Sequence, residues 1–284
     1  MNPHEAVGVE QILVPTDGSE GAAPALDHAI TLADETGAAI HLVAVVDAYT
    51  LSTVTERTER EAELDEAVAN AAERVRDAGI AATTSVEVGF PHEEILNAVE
   101  ERDADLIAMG THGRTGLDRY LLGSVAEKVV RLSPVPVLTV RVDAAGERPY
   151  RDVVVPTDGS DAAMPAERWG IDVAAQFEAT AHALSVVPEG RLRSGETAEA
   201  YADAARAAVE RVESRARDAG VAVDATVEHG VPHREILDYV GAEGADLVVV
   251  GTHGRTGVER FVLGSVAEKV VRLSPTPVLV VPSE

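Results

Sequence analysis

Gly110-Thr111-His112-Gly113, nine residues, then Gly123-Ser124 is a spacing suited to holding an anion. Glycines at 110, 113 and 123 are free to take positive φ and let backbone amides approach a ligand closely. Consecutive amides in such a turn form an anion nest. Gly123-Ser124 opens a helical pattern, Ser124–Leu132, whose N-terminus favours negative charge. Arg114 adds a guanidinium shaped for phosphate oxygens. The whole arrangement returns as Gly251-Thr252-His253-Gly254, Arg255 and Gly264-Ser265.

Taken singly, each residue has a plainer reading. Ser124 and Glu127 spell a capping box, which steadies a helix with no ligand present. Gly110 would let a strand leave the sheet, and Asp17 would hold an Asx-turn or cap the next helix. His112 and His253 would be loop histidines satisfied by backbone, and Arg114 a solvated charge. The combination, occurring twice, is far more specific than any member of it.

The elements that carry these residues repeat at an offset of 141 positions, without a gap. Pro15-Thr16-Asp17-Gly18-Ser19 falls on Pro156-Thr157-Asp158-Gly159-Ser160, and Pro91-His92 on Pro232-His233. This is duplication of a whole domain rather than a short-period solenoid. The boundaries read as 8–141 and 151–282, joined by the polar segment Arg141–Arg151. The glycine segment differs little between copies, whereas Asp47 to about Ala72 shares little with its counterpart.

Within the first copy, Gln11–Thr16, Ala39–Val46, Thr83–Val88, Asp105–Met109 and Pro136–Val140 read as strands. Glu20–Glu35, Thr55–Ala78, His92–Arg102 and Ser124–Leu132 read as helices. Alternation of this kind predicts an α/β fold of two doubly wound parallel sheets, five-stranded, with helices on both faces. In the order 3-2-1-4-5 the winding reverses between the first and fourth strands, and ligands bind beyond the carboxyl ends there. Periodicity alone does not supply that order.

Composition narrows the function. With 49 Asp and Glu against 24 Lys and Arg, the net charge of -25 repels nucleic acid and anionic lipid over long range. Lysine is confined to Lys128 and Lys269. A surface this acidic predicts a salt-rich cytoplasm, where a Debye length of about 3 Å at 1 M salt quiets carboxylate repulsion. There is no cysteine, so thiol chemistry is excluded. The start has no basic stretch followed by an apolar one, and no apolar run is long enough to span a bilayer, so the expected location is the cytoplasm, free of membrane. P-loop, dinucleotide, H-E-x-x-H and G-x-S-x-G patterns are all missing.

G-x2-G-x9-G-[ST], with the early Pro-Thr-Asp and the closing Pro-Val-Pro-Val strand, resembles the universal stress protein family, in its ATP-binding subclass. The resemblance covers nearly the whole chain. It implies strand order 3-2-1-4-5 and one ATP site per copy. Adenosine would lie near Pro15, Thr16 and Asp17, and near Pro156, Thr157 and Asp158. The adenine contact would come from Val45 and Val186, with Met109 and Val250 close by. Ribose and phosphates would lie over Gly110, Gly113, Arg114, Gly123, Ser124 and Val125. The second copy supplies Gly251, Gly254, Arg255, Gly264, Ser265 and Val266. A divalent ion, Mg2+ or Mn2+, accompanies the phosphates, its protein ligands unassigned. Family members pair through the last strand, so Val137–Val140 and Val278–Val281 could pair as a pseudo-dimer within the chain, and a homodimer is a further expectation. An adenine-nucleotide-binding stress or signalling protein is the leading reading, because no obvious base for activating water stands out. A slow ATPase or a nucleotidyl- or phosphoryl-transfer enzyme using the same sites is the alternative, and a partner-binding domain with empty sites a third.

Overall fold

The computed structural model describes residues 8–49, 53–112, 122–144, 150–189, 198–254 and 263–283. Contacts divide the chain between Glu147 and Arg148 into two compact units. The first runs β1 (Gln11–Pro15), α1 (Ala23–Thr36), β2 (Ala39–Asp47), α2 (Val54–Asp77), β3 (Ala82–Gly89), α3 (Pro91–Glu101), β4 (Leu106–Gly110), α4 (Ser124–Leu132) and β5 (Val137–Val140). Its strands are all parallel, in the order β3-β2-β1-β4-β5. The second runs β6 (Asp152–Pro156), α5 (Met164–Gln176), β7 (Thr180–Pro188), α6 (Ala198–Asp218), β8 (Ala222–Gly230), α7 (Pro232–Glu243), β9 (Leu247–Gly251), α8 (Ser265–Leu273) and β10 (Val278–Val281). Its order, β8-β7-β6-β9-β10, is the same topology.

The sequence explains this layering. β1 lies between β2 and β4 with helices over both faces, so Ile12, Leu13 and Val14 are fully buried and the strand reads as a continuous apolar run. β3 pairs on one side only and carries the exposed Thr83 and Thr84 where it meets water. At the opposite end from the glycine loops, Asp105 ties β1 to β4 by accepting from the Glu10 and Gln11 backbone N–H groups at 2.8 and 2.9 Å. Asp246 repeats the clamp on Arg151 and Asp152.

Helix ends follow local chemistry. α1 begins at Ala23 rather than Glu20, because Ser19–Ala22 closes a turn and Pro24 occupies the first helical turn, where a missing N–H is no loss. Gly37, at φ 76°, ends α1 with its N–H on the Ala33 carbonyl. A capping box does occur, at the head of α2, where Thr53 and Glu56 exchange bonds of 3.2 and 2.9 Å.

One buried polar residue gives the fold a measurable pH dependence. His41 on β2 is fully buried, with Nδ1 2.7 Å from Thr83 Oγ1 and Nε2 3.1 Å from Ser85 Oγ. Desolvation, with the nearby Arg102 charge adding and Glu87 opposing, lowers its pKa from 6.5 to about 4. The unfolded chain therefore binds a proton at this residue that the folded one refuses, and stability falls as pH drops from about 6.5 to about 4. Urea unfolding at pH 7 and pH 5 is expected to differ by about 1–2 kcal/mol more in the native chain than in His41→Gln. An equal pH slope in both would remove His41 from the account.

Candidate functional site

A cavity of about 390 Å³ opens at the carboxyl ends of β1 and β4, where the winding of the first unit reverses. Pro15, Thr16 and Asp17 reach it from the end of β1, Val45 from β2, and Met109 and Gly110 from the end of β4. Gly123, Ser124 and Val125 bring the head of α4 to the same space. The second unit has a cavity of about 320 Å³ in the same place. It is lined by Pro156, Thr157, Asp158, Val186, Val250, Gly251, Gly254, Gly264, Ser265 and Val266. Every nominated residue that is described thus converges on one of two cavities. Gly113, Arg114 and Arg255 lie outside the described residues.

The glycines act differently from the sequence expectation. Gly110, Gly123, Gly251, Gly254 and Gly264 do not take positive φ; at this end of the units Gly18 (φ 74°) and Gly159 (φ 79°) do. Gly110 is required by steric closeness instead. A Cβ there would overlap the Gly21 carbonyl oxygen, and one on Gly21 would stand 2.5 Å from the His112 carbonyl oxygen. The turn before α1 therefore lies against the end of β4, backbone on backbone. Gly123, at φ -60° and ψ 145°, donates its N–H to Thr111 O at 2.9 Å and is spent as a ligand donor. Gly264 does the same to Thr252 O at 2.7 Å.

The capping-box reading of Ser124 and Glu127 also fails, by one residue. The N-cap is Gly123, which has no side chain to offer, and Ser124 is already inside the helix. The same holds for Gly264 and Ser265. First-turn N–H groups of a helix have no intrahelical acceptor. With no side-chain cap, the N–H groups of Ser124, Val125 and Ala126 form the positive end of α4 at the cavity wall, and those of Ser265, Val266 and Ala267 form that of α8.

The loop after β1 is an Asx-turn: Asp17 Oδ1 accepts from Ser19 N at 3.0 Å. Asp158 accepts likewise from Ser160 N at 2.9 Å, and from Ser160 Oγ at 2.6 Å. The two loop histidines find hydroxyls where backbone was expected. His112 Nδ1 lies 3.0 Å from Thr111 Oγ1. His253 Nδ1 lies 3.0 Å from Thr252 Oγ1 and 3.2 Å from Ser283 Oγ. Among the described residues no group of three or more His, Asp or Glu is placed to hold a metal ion.

Sequence reasoning missed several cavity residues. Pro91 and Ile95, on the first turns of α3, line the first cavity, and Pro232 and Ile236 the second. The parallel topology held that signal, since each helix begins where its strand's carboxyl end stops. Asp47 and Arg60 in the first cavity, and Pro188 and Tyr201 in the second, carried no signal, because they fall where the copies diverge.

A model of the universal stress protein family matches residues 8–141 and again 149–282. The chain belongs to the universal stress protein family. One universal stress protein of Methanocaldococcus jannaschii is 38% identical over 143 residues, covering 48% of this chain and 84% of the relative. Another, from Bacillus subtilis, is 37% identical over 145 residues, covering 46% of this chain and 98% of the relative. Such relatives match one copy. A solved universal stress protein structure from Archaeoglobus fulgidus matches both, with a TM-score of 0.78 at 28% identity over 96% of this chain and 98% of that one.

Proposed function

We propose that each unit of this universal stress protein binds an adenine nucleotide, ATP with Mg2+ or Mn2+, and acts in stress response or signalling through that binding. The observation that carries the reading is the facing, in both units, of an apolar slot and an uncapped helix N-terminus across one cavity. Val45, Met109 and Ile95 give the slot apolar walls suited to a base. The head of α4 offers N–H groups with no intrahelical acceptor and a favourable dipole to phosphates. The volumes fall within the roughly 300–1,000 Å³ of small-molecule sites. On a chain of charge -25 these local donors work against the average field, which favours a shaped pocket over a diffuse patch. The described residues fit the nucleotide but supply no metal cluster of their own, so the ion would rest chiefly on phosphate oxygens.

Mass spectrometry of nucleotides released on denaturing freshly purified protein tests this directly. Adenine nucleotide near two equivalents per chain is expected at saturating ATP. Chain that neither carries nor takes up adenine nucleotide would end the proposal. Incubation with ATP and Mg2+ separates binder from enzyme, because bound ATP persists unhydrolysed in the first case.

Among the described residues no helix is long and apolar enough to cross a membrane. The acidic surface belongs to the same proposal: we read it as adaptation to a salt-rich cytoplasm. Raising KCl from 0.1 to 2 M is then expected to raise the midpoint of thermal unfolding by roughly 5 °C or more, as the Debye length shrinks from about 10 Å to below about 3 Å. A flat salt profile would detach the charge from that explanation.

A further inference from the structure

Every residue that lines the first cavity has its counterpart in the second, which adds Ser185, Ala205 and Gly254, and the differences concentrate on one wall. Val43, Val45 and Asp47 share one face of β2, and Leu184, Val186 and Pro188 share the corresponding face of β7. On the helix opposite, Arg60 of α2 stands where Tyr201 of α6 stands in the second unit. The first slot thus carries a carboxylate and a guanidinium where the second carries a proline ring and a phenol.

Behind that wall lies a second difference. Glu167 of α5 is fully buried and receives Thr157 Oγ1 at 2.6 Å, Arg211 through Nε at 3.1 Å and through Nη2, and Arg215 Nη1 at 2.8 Å. Arg211 also donates to the Gly159 carbonyl at 3.3 Å. The Pro-Thr-Asp loop of the second unit is thereby braced through side chain and backbone together. In the first unit Leu26 and Asn70 stand at the positions of Glu167 and Arg211. An open groove of about 370 Å³ lies there between α1 and α2. The bond from Arg60 Nη2 to Asp17 O, at 3.2 Å, is its counterpart to the Arg211 link. Ser19 Oγ is buried with no partner among the described residues, whereas the matching Ser160 Oγ is bonded to Asp158.

We propose that the second cavity is the high-affinity nucleotide site and the first a low-affinity one, the difference being set by Tyr201 and by the Glu167–Arg211–Arg215 brace. This inference deepens the nucleotide reading and rests on it. Tyr201 offers a π-face against which a base packs, a contact tolerant of orientation. Arg60 offers less, because its guanidinium is already held by Glu63 at 2.9 Å and by the Asp17 carbonyl. A braced loop has less freedom to lose on binding, which raises affinity without any added contact. One chain would then carry a site filled at low nucleotide and a second whose occupancy follows the concentration.

The test is calorimetric titration of the nucleotide-stripped full chain with ATP in Mg2+. Two classes of one equivalent each, separated by about tenfold or more, are expected from loss of a base stack together with a looser loop. Tyr201→Arg weakens the tight class about fivefold or more and leaves the weak class unmoved. Tyr201→Phe retains the tight class, because the ring and not the hydroxyl is used. Arg60→Tyr tightens the weak class. Glu167→Leu combined with Arg211→Asn installs the residues that the first unit folds with, and weakens the tight class alone. Two equal sites in the native chain, or a tight class indifferent to both Tyr201→Arg and the double replacement, overturns this inference and leaves the nucleotide reading standing. No heat and no retained ATP at either site overturns both.

Discussion

Glu167→Ala is expected to lower the free energy of unfolding by about 3 kcal/mol, because removing one member of a buried ion cluster strands the rest. The carboxylate is fully buried and holds two arginines and the Thr157 hydroxyl. Truncation leaves all three without their shared acceptor. The arginine side chains are each 31% exposed, so water recovers part of the loss and the effect falls at the low end of about 3–5 kcal/mol. The paired replacement Glu167→Leu with Arg211→Asn is expected to cost less than the single truncation, since it removes one of the two arginines along with their shared acceptor and leaves only Arg215 to turn to water. Trp169, the only tryptophan and a near neighbour on α5, makes the unfolding visible by fluorescence in urea. A loss below about 1 kcal/mol for Glu167→Ala would mean that the cluster is no stronger than an exposed pair.

Ser124→Asp and Ser265→Asp are expected to move binding and stability in opposite directions. A carboxylate in the first turn interacts favourably with the helix dipole, by about 0.3–1 kcal/mol, so thermal stability holds or rises slightly. The same charge sits where phosphates would meet the head of α4 or α8, and nucleotide affinity at that site is expected to fall about tenfold or more. A purely structural helix start would gain stability with no change in ATP binding. Gly123→Val is a poorer probe. A Cβ at that position would lie 3.1 Å from the Thr111 carbonyl oxygen, so the substitution crowds the backbone as well as the site and mixes strain with any loss of binding.

Much of the architecture was legible because it rests on local chemistry. Ile12–Val14 and Ile107–Met109 are apolar throughout since both faces of those strands are covered, and Gly37 and Pro91 mark helix limits through backbone geometry alone. Strand order was another matter: it depends on which long-range pairings form, and entered through family resemblance. The glycines show the same boundary within one motif. Their placement around the cavity could be anticipated, but their use could not. A glycine in a sequence signals that room is needed, without saying for what. At Gly110 the room goes to Gly21, far away in the chain, and the positive φ expected there belongs to Gly18. Ser124 was misread because a capping box displaced by one residue looks the same on paper. Arg60 and Tyr201 were illegible for a simpler reason: a single charged or aromatic residue on an exposed helix has no pattern to stand out from.

The backbone approach of Gly21 to Gly110 limits how the two halves can exchange parts. The second copy has Ala162 where the first has Gly21, and a Cβ on Gly251 would stand 3.2 Å from the Ala162 carbonyl oxygen, crowded but less so than the 2.3 Å between a Cβ on Gly110 and the Gly21 carbonyl oxygen. A chimaera that carried the Ala162 turn into the first half would push a methyl group onto the His112 carbonyl. Crossover points are therefore tolerated only where both sides of this seam descend from one parent, and the halves, so alike along their glycine segments, are not interchangeable modules.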